Sequence, residues 1–172
     1  MEELAEVVKL GLTRAVGVSN YNQAQMLRAY SVLSRHGIPL ASNQVEYHLL
    51  NRAVERDGLL ARCKELGVQL IAHSPLAKGL LTGKYRPENP PPGIRARHYA
   101  SLTRIQPLLH LMTQIGRDQG SKTPAQVALN WIICPSHTSI IRYNTPYDAE
   151  PAPVPAQPQT CQVWIGSVRH AK

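Results

Sequence analysis

A helix, a glycine and a short apolar strand recur three times along residues 2–72, and this repeat restricts the fold more than any other feature of the chain. Residues 2–10 carry Leu4, Val7 and Val8 at helical spacing, and Gly11 follows as a stop. Ala15-Val16-Gly17-Val18 is a short apolar run of the kind that forms a buried strand. Asn22 and Gln25 then form a capping-box pair, in which each side chain takes a backbone amide near the other. The helix they start places Met26, Leu27, Tyr30 and Leu33 on one face and ends at Gly37. Leu40 to Val45 gives the second strand. Leu59, Leu60, Cys63 and Leu66 give the next helical stripe, closed by Gly67, and Val68 to Ala72 gives the third strand. Strand starts lie 25–28 residues apart, the length of one βα unit with short loops. A helical crossover makes neighbouring strands parallel. The pattern predicts an α/β fold, with a closed barrel and an open doubly wound sheet both compatible with it.

The rhythm breaks after the third strand. Residues 74–101 are rich in Pro and Gly, and a connection of this length is usually functional. Ile105, Leu108, Leu109, Met112 and Ile115 then share a helical face that ends at Gly120. Thr123-Pro124-Ala125-Gln126 starts another helix: an N-cap threonine, proline at the first helical position, and glutamine completing the box. It runs to about Cys134 and stops at Pro135. From Pro135 to Lys172 there are six prolines and no amphipathic period, so one domain is expected over 1–134 and a divergent, irregular tail over 135–172. Thr138 to Tyr143 is that tail's single strand candidate.

Composition narrows the function classes. Hydrophobic residues make up 43% of the chain, enough for a core, although Phe is absent. No run reaches the ~18 apolar residues of a membrane span. Cys63, Cys134 and Cys161 are odd in number and widely spaced, which disfavours a disulfide framework or a zinc site and favours a reducing compartment. Cys63 lies on an apolar stripe and reads as core filler. The net charge of +8 is uneven: Lys78, Lys84, Arg86, Arg95, Arg97 and Arg104 face only Glu88 in their stretch. Such a cluster suits a phosphorylated ligand. It lacks the interleaved aromatics of a nucleic-acid surface.

Parallel α/β folds bind ligands at the C-terminal ends of their strands. Three polar pairs stand there: Ser19-Asn20, Asn43-Gln44 and His73-Ser74. Hydroxyl and amide groups of Ser19, Asn20 and Gln44 both donate and accept, which suits a neutral amide ligand and not acid–base work. Tyr21 reads as a packing residue. His48 has no partner visible in the sequence, and His36, His98, His110, His137 and His170 show no ligand spacing.

Three segments resemble signature segments of the aldo-keto reductases: Lys9 to Tyr21 (KLGLTRAVGVSNY), Asn43 to His48 (NQVEYH), and Ser74 to Tyr85 (SPLAKGLLTGKY). The third form is similar to the branch that includes plant plastid reductases and the beta subunits of potassium channels. The resemblance covers roughly residues 1–134. It implies an incomplete (β/α)8 TIM barrel, roughly its last four βα units, with an irregular C-terminal tail. The ligand it implies is NADP(H). By resemblance Ser19, Asn20 and Gln44 hold the nicotinamide carboxamide, and His73 stands where the family usually stacks an aromatic residue on the nicotinamide ring. An imidazole offers less stacking area and takes a proton near neutral pH, so the departure implies weak or lost cofactor binding. The loop Ser74, Pro75, Leu76, Ala77, Lys78 through Lys84 and Tyr85, with Arg95 beyond it, wraps the pyrophosphate in relatives.

The family's activity is NADP(H)-dependent carbonyl reduction, by a tyrosine acid tuned by Lys, Asp and His on earlier strands. No segment here resembles those strands, and Met1-Glu2-Glu3 reads as the middle of a helix rather than as a basic leader. The expectation is a truncated chain without turnover; the alternative is a non-catalytic nucleotide-binding or regulatory partner module. Arg142 to Pro146 leaves the family pattern, which implies loss of the 2′-phosphate grip. A half barrel exposes strand edges, so self-association is expected. A soluble intracellular chain is expected, in chloroplast or cytoplasm, the former by resemblance alone.

Overall fold

A computed structural model describes residues 1–90 and 102–133, and the backbone of residues 139–141. Arg95 and the remainder of the tail lie outside the described residues. The chain order is α1 (Glu2–Lys9), β1 (Val16–Ser19), α2 (Gln23–Arg35), β2 (Leu40–Glu46), α3 (Ala53–Arg56), α4 (Leu59–Leu66), β3 (Gln69–His73), a 3-10 segment (Ala77–Thr82), α5 (Leu102–Asp118), α6 (Pro124–Ile133) and β4 (Ser139–Ile141). The strands form one sheet in the order β1-β2-β3-β4, all pairs parallel. Sequential order with helical crossovers is that of a (β/α)8 barrel arc, not of a doubly wound sheet, whose order reverses at a switch point.

Local chemistry sets the boundaries. The side chain of Asn22 accepts from the Gln25 amide at 2.9 Å and Gln25 Oε1 accepts from the Asn22 amide at 2.9 Å, closing the box that starts α2. Thr123 and Gln126 exchange the same pair of bonds at the start of α6, at 3.2 and 2.8 Å. Gly67 ends α4 in the left-handed region (φ 68°), which lets the Val68 amide reach the Cys63 carbonyl at 2.9 Å and turns the chain into β3.

Two cores result. In the first, Val16, Val18, Leu40, Val45, Leu70 and Ala72 from the sheet pack under Ala5, Met26, Leu33, Val54, Leu59, Cys63 and Ile132 from the helices. Cys63 is buried there with its thiol 3.3 Å from the Met26 sulfur, and burial pushes its pKa up to about 11. In the second, Ala77 and Leu81 pack into α5 and α6 against Leu102, Ile105, Leu109, Met112 and Ala128. Burying a leucine as completely as Leu81 contributes about 1.5–3 kcal/mol, which fastens the connection after β3 to the helices.

The strands' other residues form the opposite face: Gly17 and Ser19, Ser42, Gln44 and Glu46, Gln69, Ile71 and His73, all half-buried or exposed. That face is mostly polar. It is the side a closed barrel encloses, and it carries the candidate site at its C-terminal rim.

Candidate functional site

Register brings the expected residues together. Ser19 pairs with Gln44 and Glu46 pairs with His73, so the ends of β1, β2 and β3 lie side by side. Neighbouring strands stand about 4.8 Å apart, which puts Ser19, Gln44 and His73 along one rim. Ser19 Oγ donates to the main-chain oxygen of Gln44 at 3.2 Å, and the Asn20 amide donates to the same oxygen at 2.7 Å. Asn20 turns left-handed (φ 58°) as it leaves the strand, a conformation asparagine tolerates better than most residues. The Ser19 hydroxyl retains lone pairs to accept with, and the Asn20 and Gln44 amides present donors. This set matches a carboxamide, which needs donors for its oxygen and an acceptor for its nitrogen.

His73 ends β3. Its Nε2 lies 3.2 Å from Asn20 Oδ1 and its Nδ1 lies 3.3 Å from Ser74 Oγ. It thus joins the outer two of the three strand ends.

The connection that follows is ordered by its backbone. Ser74, Ala77, Lys78 and Gly79 all have positive φ, at 55°, 50°, 56° and 97°. Three of these are not glycine, and each such residue costs roughly 1–2 kcal/mol. Bonds from Ala77 N to Ser74 O (2.8 Å), Gly79 N to Leu76 O (2.9 Å) and Leu81 N to Leu76 O (3.2 Å) hold the turns, and buried Pro75, Ala77 and Leu81 offset the strain. Thr82 Oγ1 donates to the Gly79 carbonyl at 2.8 Å and accepts from the Lys84 amide at 3.2 Å. Lys78 and Lys84 are exposed, and Lys84 Nζ stands 5.4 Å from the centre of the Tyr85 ring. A loop with two exposed cations beside a rim of hydroxyl and amide groups has the chemistry to meet a phosphate.

Several roles were not visible in the sequence. His48 is buried, with Nδ1 accepting from the amides of Leu50 (3.2 Å) and Asn51 (3.1 Å), so its hydrogen sits on Nε2, 3.4 Å from Glu46 Oε1. Asn51 Nδ2 donates to the other Glu46 oxygen at 3.3 Å. Burial holds the imidazole below its ordinary pKa, against the upward pull of Glu46. Burial also raises the Glu46 carboxyl, but the bonds from His48 and Asn51 outweigh it and the net shift is downward. Asn43, beside Gln44, points to the helix side: it is fully buried, and its Nδ2 donates to the Tyr21 carbonyl at 2.9 Å. Alternation along β2 is the signal for this, since adjacent strand residues face opposite ways.

Of the described tyrosines and histidines, His73 stands at the rim, with its ring nitrogens beside Asn20 and Ser74. Tyr47 is buried, donates to Glu55 at 2.7 Å and packs 5.5 Å from the Trp131 ring; burial raises its pKa further above its ordinary value. Tyr21 packs against the first core. Among the described residues no three His, Cys, Asp or Glu side chains gather as a metal site, and no helix is long and apolar enough to cross a membrane.

The parallel sheet in sequential order, with its polar strand ends along one rim, defines part of an α/β barrel, and comparison with known proteins agrees. The aldo/keto reductase family model matches residues 1–150, and the chain belongs to that family. It is 42% identical over 132 residues to the chloroplastic pyridoxal reductase of Arabidopsis thaliana, covering 76% of this chain and 36% of that protein. It is 34% identical over 139 residues to the L-glyceraldehyde 3-phosphate reductase of Escherichia coli, covering 76% of this chain and 40% of that one. Among solved structures, the thermostable aldo-keto reductase Tm1743, crystallised with the inhibitor epalrestat, superposes with a TM-score of 0.61 at 28% identity, over 84% of this chain and 43% of that chain. The chain therefore spans roughly two fifths of the length of these relatives. The incomplete barrel that the resemblance implied is the fold observed.

Proposed function

We propose that residues 1–134 form the cofactor-holding side of an aldo-keto reductase site, and that this chain alone binds a nicotinamide dinucleotide weakly and without reducing carbonyls. The observation that carries the reading is the shared rim: Ser19 and Asn20 fastened to the Gln44 carbonyl, with His73 beside them. The bound group would supply the reducing equivalent. Ser19, Asn20 and Gln44 would hold its carboxamide, and Ser74, Pro75, Leu76, Ala77, Lys78, Lys84 and Tyr85 would line its phosphates, with Arg95 further along the chain.

The reading without turnover is supported by what the polar groups already do. An acid for a carbonyl oxygen must sit at the rim with a transferable proton. Tyr47 is on the helix side and bonded to Glu55, His48 is tied to two backbone amides, and the ring nitrogens of His73 at the rim already meet Asn20 and Ser74. The polar open face, and the side of β1 that pairs with no strand among the described residues, also support association with further barrel strands, in a second copy or another chain.

Titration of NADPH fluorescence tests the binding half. Saturable binding is expected, weakened roughly tenfold (about 1.4 kcal/mol) by Gln44→Ala; no saturation below millimolar NADPH overturns it. NADPH oxidation with 4-nitrobenzaldehyde tests the other half. Turnover that survives purification, and falls in the double variant Tyr21→Phe with His48→Gln, overturns the claim of a non-reducing chain.

A further inference from the structure

A histidine at the floor of a ring-binding site has two physical uses. It can offer its flat face, or it can spend its two nitrogens orienting neighbours. The geometry around His73 decides between them. The structure turns Asn20 Oδ1 toward Nε2 at 3.2 Å, and since an amide oxygen only accepts, this orientation puts the ring hydrogen on Nε2. Nδ1 is left as an acceptor and takes the Ser74 hydroxyl at 3.3 Å. Both in-plane positions of the imidazole are therefore used, one toward β1 and one toward the left-handed turn after β3.

The consequence falls on Asn20. An exposed asparagine side chain ordinarily samples both amide orientations. Here the structure holds Oδ1 toward His73 Nε2, the orientation that pairs with a hydrogen on Nε2. Nδ2 is then directed away from His73, and among the described residues it makes no bond. Asn20 is itself held in an unusual backbone conformation (φ 58°) by its own amide bond to the Gln44 carbonyl at 2.7 Å. Main chain and side chain are thus both fixed, leaving one directed donor at the rim.

We infer that His73 is a positioning residue that orients the Asn20 amide, so that Asn20 Nδ2 donates to the carboxamide oxygen of a bound nicotinamide, and that this role outweighs stacking. The inference rests on the cofactor-holding reading above. It makes His73 a specificity element for the amide of the ligand rather than for its aromatic ring. Glu46, the register partner of His73, is the nearest carboxylate along the sheet, and its oxygens are occupied by His48 and Asn51.

A double-mutant cycle read by NADPH fluorescence separates the two uses. The variants are His73→Phe, His73→Gln, Asn20→Gly and the pair His73→Phe with Asn20→Gly. Phenylalanine keeps and improves the flat face but cannot donate to Asn20; glutamine loses the face but can donate. Orientation predicts that His73→Phe weakens NADPH about five- to tenfold, that His73→Gln stays within about twofold of the native chain, and that Asn20→Gly adds nothing further to His73→Phe. Stacking predicts the reverse order, with His73→Phe equal to or tighter than native, and multiplicative losses in the pair; either result overturns the inference. If His73→Phe lowers the unfolding midpoint enough to confuse the reading, the ratio of affinities for NADPH and for reduced 3-acetylpyridine adenine dinucleotide phosphate, which lacks the amide nitrogen but keeps the carbonyl, is compared within each variant. Orientation through the carbonyl requires both ligands to lose affinity together. Failure of the native chain to bind either ligand removes the cofactor-holding reading and this inference with it, an outcome distinct from binding that is indifferent to residue 73.

Discussion

The Asn20 amide donates to the main-chain oxygen of Gln44 at 2.7 Å, which fastens together two of the residues proposed to grip the same ligand group. The bond holds Asn20 left-handed, so position 20 separates backbone effects from side-chain effects. Asn20→Gly relieves the strain and removes the side chain. Asn20→Ala removes the side chain and increases the strain. The alanine variant is expected to be less stable than the glycine variant by about 1 kcal/mol, measured by urea unfolding. Both should lose NADPH affinity alike, because the missing donor is common to them.

His48 carries a pH dependence of stability. Its folded pKa lies below the ordinary imidazole value of 6.5, chiefly through burial, with the nearby charges of His73 and Lys78 adding to the drop and Glu46 opposing it. Between the folded and unfolded values the unfolded chain binds more protons, so stability rises with pH there. The stabilisation is at full strength above about pH 6.5 and is lost as pH falls toward the folded value. Urea midpoints should drop from pH 7.5 to 5.5 in the native chain. His48→Gln should flatten this dependence. It should also cost about 1–3 kcal/mol at pH 7.5 if its side chain fails to replace the bonds to the Leu50 and Asn51 amides.

The Cys63 thiol should be chemically silent in the folded chain. It is buried against Met26 with its pKa pushed up to about 11, so at pH 8 about one thiol in a thousand is ionised. Iodoacetamide at pH 8, followed by peptide mass spectrometry, should leave the Cys63 peptide unmodified until urea unfolds the chain. Rapid labelling without urea would mean that α4 opens from β3 far more often than a packed core allows.

Much of this architecture was legible because its signals are local. Gly11, Gly37 and Gly67 each follow a helical stripe, and the Asn22–Gln25 and Thr123–Gln126 boxes mark helix starts within four residues. The four-residue helix Ala53–Arg56 was not legible, because one turn is too short to show a period. Nor was the 3-10 segment Ala77–Thr82, which owes its shape to long-range burial of Leu81 against α5 and α6 rather than to its own sequence. At the site, the strand-end rule located Ser19, Asn20, Gln44 and His73. The bond between His73 and Asn20 spans 53 residues and depends on strand register, so no spacing in the chain announces it. His48 was left without a partner for the same reason in miniature: two of its bonds are to backbone amides, which carry no sequence signature.

Two glycines, Gly17 in β1 and Gly116 in α5, test packing in different elements, and they should differ in kind. A Cβ on Gly17 would run into Ser42 Oγ, and its next contact, the Ser42 carbonyl, is at 3.3 Å. The main obstacle is the end of a small side chain that can rotate or be removed. A Cβ on Gly116 would run into the carbonyl oxygen of Lys122, with the carbonyl carbon at 3.0 Å. That carbonyl belongs to main chain tied to α5, since the Lys122 amide donates to the Gly116 oxygen at 2.8 Å. Neither rotation nor a nearby substitution clears it. Gly17→Ala is therefore expected to cost about 1 kcal/mol and to be rescued by Ser42→Ala. Gly116→Ala is expected to cost about 3 kcal/mol, at the upper end of overpacking penalties, with the turn between α5 and α6 displaced. Urea unfolding of the three variants checks both values. Equal costs for the two glycines, or a Gly17→Ala defect that Ser42→Ala leaves in place, would show that β1 and β2 do not meet in the register Gly17 to Ser42 on which the Ser19–Gln44 rim depends.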